Sequence, residues 1–246
     1  MVNFKPLKNC SLFYIDSLIK NYKIKGTFLD AGGGLGDVSE HLSKKGFKGK
    51  MIDFSEQNVQ IARKLLEKQG VKAEHKDIFK ENGKYDFVLL FDVLEHIQED
   101  EKLLKKISSL TKNKGYLLLT LPMNHSEWRW DDAGYGHYRR YSLKEIKNIL
   151  HKSNFELLEI ENCSFPLFWL MRRVYTCLFK KGKNSSEMPY NLTKKSARTN
   201  LWDSKLGRFL EKNLDNKAVY YLHRIFKKTN IGFEFVLLAR KKYNPC

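Results

Sequence analysis

Thr27-Phe28-Leu29-Asp30-Ala31-Gly32-Gly33-Gly34-Leu35-Gly36-Asp37 is the stretch that decides the fold of this chain. A short β-like run ends in a glycine cluster, and a helical pattern follows. Such a strand-to-helix turn lets the backbone approach a ligand closely, at the carboxyl end of the sheet where open α/β folds bind theirs. The spacing narrows the ligand. The dinucleotide fingerprint G-x-G-x-x-G would take Gly32 and Gly34 and then need glycine at 37, where Asp37 stands. Instead the glycines fall at 32, 34 and 36, with Asp30 before them. A carboxylate pressed against the turn repels a pyrophosphate and suits a ligand carrying an ammonium and a sulfonium.

On either side of this turn, strand and helix patterns alternate. Lys50-Met51-Ile52 ends in Asp53, Val71 to Lys76 ends in Asp77, and Tyr85 to Phe91 and Tyr116 to Leu121 are strongly apolar runs. Between them, Glu56–Lys68 and Glu101–Leu110 place apolar residues three and four apart, as in amphipathic helices. Strands apolar throughout, alternating with helices, mean βαβ units around a buried parallel sheet. Ser142, with Glu145 three residues later, predicts a capping box opening a helix to about Lys152. Two further strands are read at Phe155–Glu161 and Phe233–Arg240.

Residues 27–123 resemble the core of class I S-adenosylmethionine-dependent methyltransferases. The elements that carry the resemblance fall in order: Asp30-x-Gly-x-Gly-x-Gly, Asp53 ending the second strand, Asp77-Ile78 after the third, Tyr85-Asp86-Phe87-Val88 opening the fourth, and Asp92-Val93-Leu94-Glu95-His96 closing it. The resemblance implies an α/β, Rossmann-like seven-stranded mixed sheet with the last strand antiparallel, and S-adenosylmethionine as cofactor. It implies that Asp30, Gly32, Gly34 and Gly36 form the turn around the methionine and ribose. Asp53, beside Phe54, would hold the ribose hydroxyls, a carboxylate being able to accept from both. Asp77 would accept from the adenine amino group and Ile78 would pack on the ring. Oxygens near Phe91 and Asp92, with His96 close by, would face the methionine ammonium. Asp86 reads as a structural residue, and no metal ligand set is expected.

The division expected is an N-terminal helical segment 1–24, a cofactor-binding core 25–161 with a substrate lid 122–141, a helical insertion 162–230 between the last two strands, and a final strand and tail 231–246. The lid is dense in aromatic, basic and imidazole groups. His137 is the first general base expected for a hydroxyl acceptor and His125 the second, because a neutral imidazole suits that task. Arg139 and Arg140 would pair with a phosphate or carboxylate on the acceptor, while Trp128, Tyr135, Tyr138 and Tyr141 would form its walls. Gly-His-Tyr-Arg-Arg-Tyr at 136–141 resembles methyltransferases of cell-surface polysaccharide and lipid-linked sugar synthesis, which implies a small or lipid-linked, negatively charged acceptor.

Charge adds to this picture. The chain has a formal net charge of +17, of which residues 1–125 carry only +5 and residues 163–228 carry +11. The excess therefore sits in the insertion, whose first helical pattern, Phe165–Lys181, is apolar around Arg172-Arg173. Three readings follow: contact with an anionic membrane, packing against the sheet or a second subunit, or RNA binding, which would make the acceptor a tRNA or rRNA. A cofactor-binding regulatory protein without methyl transfer is the further alternative. Residues 181–200 read as a polar loop. The dispersed Cys10, Cys163, Cys177 and Cys246 fit reduced thiols. With no signal-peptide pattern and no membrane-spanning run, a cytoplasmic protein is expected, peripheral at most to the inner face of the membrane.

Overall fold

A computed structural model describes residues 5–178 and 205–243. Strands β1 (Thr27–Ala31), β2 (Lys48–Asp53), β3 (Lys72–His75), β4 (Tyr85–Phe91), β5 (Thr111–Pro122), β6 (Phe155–Asn162) and β7 (Glu234–Lys241) form one sheet. Its order is β3-β2-β1-β4-β5-β7-β6. Strands β1 to β5 pair in parallel, and β7 lies antiparallel between β5 and β6. The mixed sheet with an antiparallel last strand is as the sequence implied. Central strands are buried on both faces, which is why Val88-Leu89-Leu90 and Leu117-Leu118-Leu119 contain no polar alternation.

Helices cover both faces. On one side α1 (Lys5–Asn21), α2 (Asp37–Ser43) and α3 (Glu56–Leu66) pack through Ile15, Leu42, Val59 and Ala62. On the other, α4 (Asp100–Leu110) and α6 (Leu143–Lys152) pack through Leu103, Ile107, Ile146 and Leu150, with the short α5 (Trp130–Tyr135) in the segment before α6. The predicted capping box is formed: Ser142 Oγ accepts from Glu145 N at 3.2 Å, and Ser142 N donates back to Glu145 Oε2 at 2.7 Å. The fifth strand begins at Thr111, five residues before the apolar run that predicted it, because Thr111 pairs with Tyr85 across a bulge.

The insertion contributes α7 (Leu167–Leu178), α8 (Lys205–Leu214) and α9 (Lys217–Ile225), while the polar stretch 181–200 lies outside the described residues. Helices α7 and α9 meet where Phe168 stacks on His223 at a ring separation of 4.4 Å. No helix among the described residues is long and apolar enough to cross a membrane. Strand order reverses at β1, whose neighbours are β2 and β4, and the crevice at such a switch point is where open α/β sheets bind ligands. The glycine turn after β1 and Asp92 after β4 meet there.

Candidate active site

The glycines of the turn are required by its geometry. Gly32 has φ 77°, and a Cβ there would lie 2.7 Å from Val93 Cγ2. Gly34, at φ 56°, faces open space, so its backbone is bare toward the crevice. Asp53 is locked beside it, accepting from Gly34 N at 2.9 Å and from Ser55 N at 2.7 Å. Each carboxylate oxygen keeps a lone pair for a further donor. Asp30 sits deeper than its motif position suggests. It is fully buried, accepts from Ser39 Oγ at 2.7 Å, and braces the turn from beneath.

Burial pushes the Asp30 carboxyl up to about 6. The folded state therefore holds a proton that the unfolded chain has released, so stability falls as pH rises from about 4 through 6. Asp30→Asn lacks this term. Its stability relative to the wild type is expected to rise over that window, by about 3 kcal/mol in total, and to level off above it, with the melting temperature following. Parallel melting curves of the two proteins at pH 4 to 8 check it.

At the edge of the crevice, Phe54 is exposed and Asp77 caps the next turn, its Oδ1 accepting from Phe79 N at 2.9 Å. Ile78 packs partly buried beside them. An apolar face between two rims with a carboxylate at one end fits an adenosine. Asp92, at φ 52°, turns the chain at the end of β4, tied to Thr120 by its own N–H and by a 2.5 Å bond from Thr120 Oγ1 to its Oδ1. Asp86, at the far end of that strand, accepts from Thr27 N at 2.7 Å and is structural.

The lid is folded on the core rather than open. Met123 and Tyr141 form a bridge that closes its ends. At its centre Asp132 is buried, with Oδ1 3.1 Å from His137 Nδ1 and 2.6 Å from Arg140 Nη2, and with Oδ2 2.8 Å from Arg172 Nη2. Burial alone would raise Asp132, but the contacts with His137, Arg140 and Arg172 outweigh it and hold the carboxyl well below the usual range. An ionised Asp132 only accepts, so the hydrogen-bond network assigns the His137 proton to Nδ1. The lone pair of Nε2 is left without a partner and lies 3.9 Å from Glu95 Oε1. Both oxygens of the buried Glu95 are likewise without partners, and burial, with Asp92 nearby, holds its carboxyl well above the ordinary value. Glu95, His96 and His137 bring one ligand atom each within 4.8 Å of one another, a donor set that could hold a cation. Burial and the neighbouring His137 push His96 down to about 4, so its ring is neutral.

A cavity reaches His137 and Asp132, while Glu95 and His96 lie outside its lining. Phe91, Asp92, Thr120, His137, Arg140 and Glu234 line it, with Lys8 and Ser11 of α1 on the opposite wall. Of the walls expected from sequence, Tyr135 lines it as well, whereas Trp128 and Tyr138 are exposed. Four of the expected residues are engaged by partners within the protein. Arg139 binds Asp100 at 3.0 Å and the Gln98 carbonyl at 2.8 Å, pinning the lid to the start of α4. Arg140 is 2% exposed and spends its fork on Asp132 and on the Met123 and Phe233 carbonyls, so it is not a phosphate clamp. Tyr141 is buried with its hydroxyl on Asp100 at 2.9 Å. His125 is exposed and paired with Glu145 at 2.7 Å, away from the cavity lining.

Sequence reasoning missed Asp132, Glu234 and Arg172 as site residues. The available signal was chemical: an acid opening an otherwise apolar strand and an arginine inside an apolar helix both need buried partners.

A family model described as a methyltransferase domain matches residues 14–160. The chain is 25% identical over 193 residues to the ubiquinone biosynthesis O-methyltransferase of Pelagibacter ubique, covering 67% of this chain and 80% of that enzyme. It is 26% identical over 223 residues to phosphoethanolamine N-methyltransferase 2 of Caenorhabditis elegans, covering 85% of this chain and 50% of that one. Against other bacterial ubiquinone O-methyltransferases, the chain spans about half of their length. Among solved structures, the 1,6-didemethyltoxoflavin-N1-methyltransferase of Burkholderia thailandensis, with S-adenosylhomocysteine bound, is similar in fold. Its TM-score is 0.58 at 14% identity, covering 98% of this chain and 80% of that one.

Proposed function

Since the chain belongs to the methyltransferase-domain family and is an S-adenosylmethionine-dependent methyltransferase, we propose that its acceptor is a hydroxyl on a small or lipid-linked, sugar-type molecule bearing a negative group. The observation that carries this reading is His137, whose bare Nε2 is held at the cavity by an ionised Asp132. The wall supports a hydroxyl acceptor further. In the cavity wall, Glu234 Oε1, His137 Nε2 and Arg140 Nε are without partners, and burial holds the Glu234 carboxyl well above its ordinary value. A buried unpaired polar atom costs about 1–3 kcal/mol, and a hydroxyl, which both donates and accepts, satisfies this mixed wall. The acceptor's negative group then stays toward Lys8 of α1, a cavity-lining cation that also pairs with Asp37 at 2.6 Å. One relative is named for O-methylation, which supports a hydroxyl acceptor, and another, an N-methyltransferase, is named for an acceptor that bears a phosphate.

The bound cofactor supplies a methyl carbon already activated by a sulfonium. The protein's part is to align the acceptor with it and take away the proton. The Gly32–Gly36 turn, Asp53, Asp77 and Ile78 would hold the cofactor, with Phe91, Asp92 and His96 toward its methionine part. The folded lid and α1 exclude water from above. His137 Nε2 accepts the hydroxyl proton, and Asp132 stabilises the imidazolium that results. Asp53→Ala removes two charge-assisted acceptors, and its dissociation constant for S-adenosylmethionine is expected to rise about 100-fold by calorimetry.

Transfer of labelled methyl from the cofactor into fractionated cell extract tests the acceptor class. Label in small molecules or lipid supports the proposal. Label in RNA would replace it with an RNA acceptor, and cofactor binding without transfer would leave only a binding protein.

A further inference from the structure

We infer that the outer face of α7 is a docking surface for an anionic lipid membrane. The inference rests on the reading of a lipid-linked acceptor for its purpose, and on the surface itself for its evidence.

Helix α7 has two faces of different character. Inward, Phe168, Arg172 and Thr176 are buried at a spacing of four residues. Arg172 binds Asp131 through two nitrogens at 2.9 and 2.6 Å and reaches Asp132 and the Glu127 carbonyl. Outward, at the same spacing, stand Leu170, Val174 and Leu178, exposed by 54%, 49% and 71%. The charges that interrupt this apolar helix are thus turned away from its outer face. Arg172 is inside, and Arg173 folds back over the Trp169 ring at 4.3 Å onto Glu127 at 2.6 Å. Helix α9, which touches α7 through its rings, adds exposed Leu222 and Ile225 to the same cover.

A row of exposed aliphatic side chains on a helix calls for an apolar partner. The surrounding charge selects which. Among the described residues of the insertion, 163–178 and 205–228, nine Lys and Arg stand against two Asp and Glu, so a second copy is disfavoured and an anionic partner favoured. Nucleic acid is anionic but offers phosphates and stacking faces, with nothing for a stripe of leucine and valine to enter. A membrane with acidic head groups offers both anionic charge and hydrocarbon, the combination to which interfacial amphipathic helices bind. The family match ends at residue 160, before α7 to α9 begin. Arg172 ties α7 directly to the lid over the cavity, which places the acceptor opening next to the surface from which a lipid-linked acceptor would come.

Sedimentation of the full chain with vesicles of phosphatidylglycerol and phosphatidylcholine, against phosphatidylcholine alone, tests the inference. Binding at least tenfold stronger to the anionic vesicles, weakened by high salt, is expected. A Leu170→Ser, Val174→Ser, Leu178→Ser variant is expected to lose at least tenfold of it while binding S-adenosylmethionine as the wild type does. Leu178→Glu alone, at the most exposed position, serves if the triple variant fails to bind the cofactor. Ile61→Ser, exposed on α3, is expected to change nothing. Equal binding to both vesicles, or binding unchanged in the stripe variants, would overturn the inference. So would a wild-type dimer that the variants turn into monomers without any vesicle binding. Methyl transfer is read separately in the extract assay, so a failure of either idea leaves the other measurable.

Discussion

Alanine in place of His137 lowers kcat by about 10²- to 10⁴-fold, the usual range for a lost general base, while S-adenosylmethionine affinity stays within about threefold of the wild type. The split follows from position. The imidazole is 9% exposed, lines the cavity and lies outside the glycine turn and the Asp53 and Asp77 rims. Asp132→Asn should mimic much of this loss by a different route. An amide can donate to Nδ1, which then becomes the acceptor and moves the ring proton to Nε2, where the hydroxyl proton has to go. Steady-state kinetics on the labelled acceptor fraction, with calorimetry for the cofactor, separates the two quantities. Unchanged turnover in His137→Ala would remove the base assignment.

Arg172→Met is expected to destabilise the folded protein by about 3–5 kcal/mol, the cost of leaving buried charge uncompensated. Arg172 is 3% exposed and serves three partners at once, and its guanidinium also lies over the Phe233 ring at 4.9 Å. Removing it leaves Asp131 buried without its cation and Asp132 with Arg140 as its remaining guanidinium, beside His137 and the Arg129 N–H. In a chain of this size that corresponds to a fall in melting temperature of roughly 10 °C. An Arg139→Met variant is the useful contrast. Its ion pair with Asp100 is partly exposed and is worth about 1 kcal/mol at most. Thermal melts of the two variants side by side check the ordering, and equal losses would contradict the buried-network account.

What the sequence revealed and what it hid divide along a physical line. The glycine turn, Asp53 at its strand end and the Ser142–Glu145 capping box are local devices, each completed within a few residues, and each is formed as read. The antiparallel β7 was expected too, from the resemblance of residues 27–123 to class I methyltransferases, since its own apolar run marks a strand but no direction. The lid's electrostatics were not. Arg139 and Arg140 look like an anion clamp in a string of letters, since charge is visible there and partners are not. Their partners, Asp100, Gln98, Asp132 and two carbonyls, come from three other segments. Arg172 likewise read as an interruption of an apolar helix, when its pairing with Asp131, 41 residues earlier, is what seats that helix on the lid.

The most direct test of the whole site is a crystal structure of the complex with S-adenosylhomocysteine. The account predicts ribose hydroxyls on Asp53, adenine between Phe54 and Ile78 beside Asp77, and the sulfur directed into the cavity of His137 and Glu234. A product bound with its sulfur turned away from His137, or seated away from the Gly32–Gly36 turn, would contradict it.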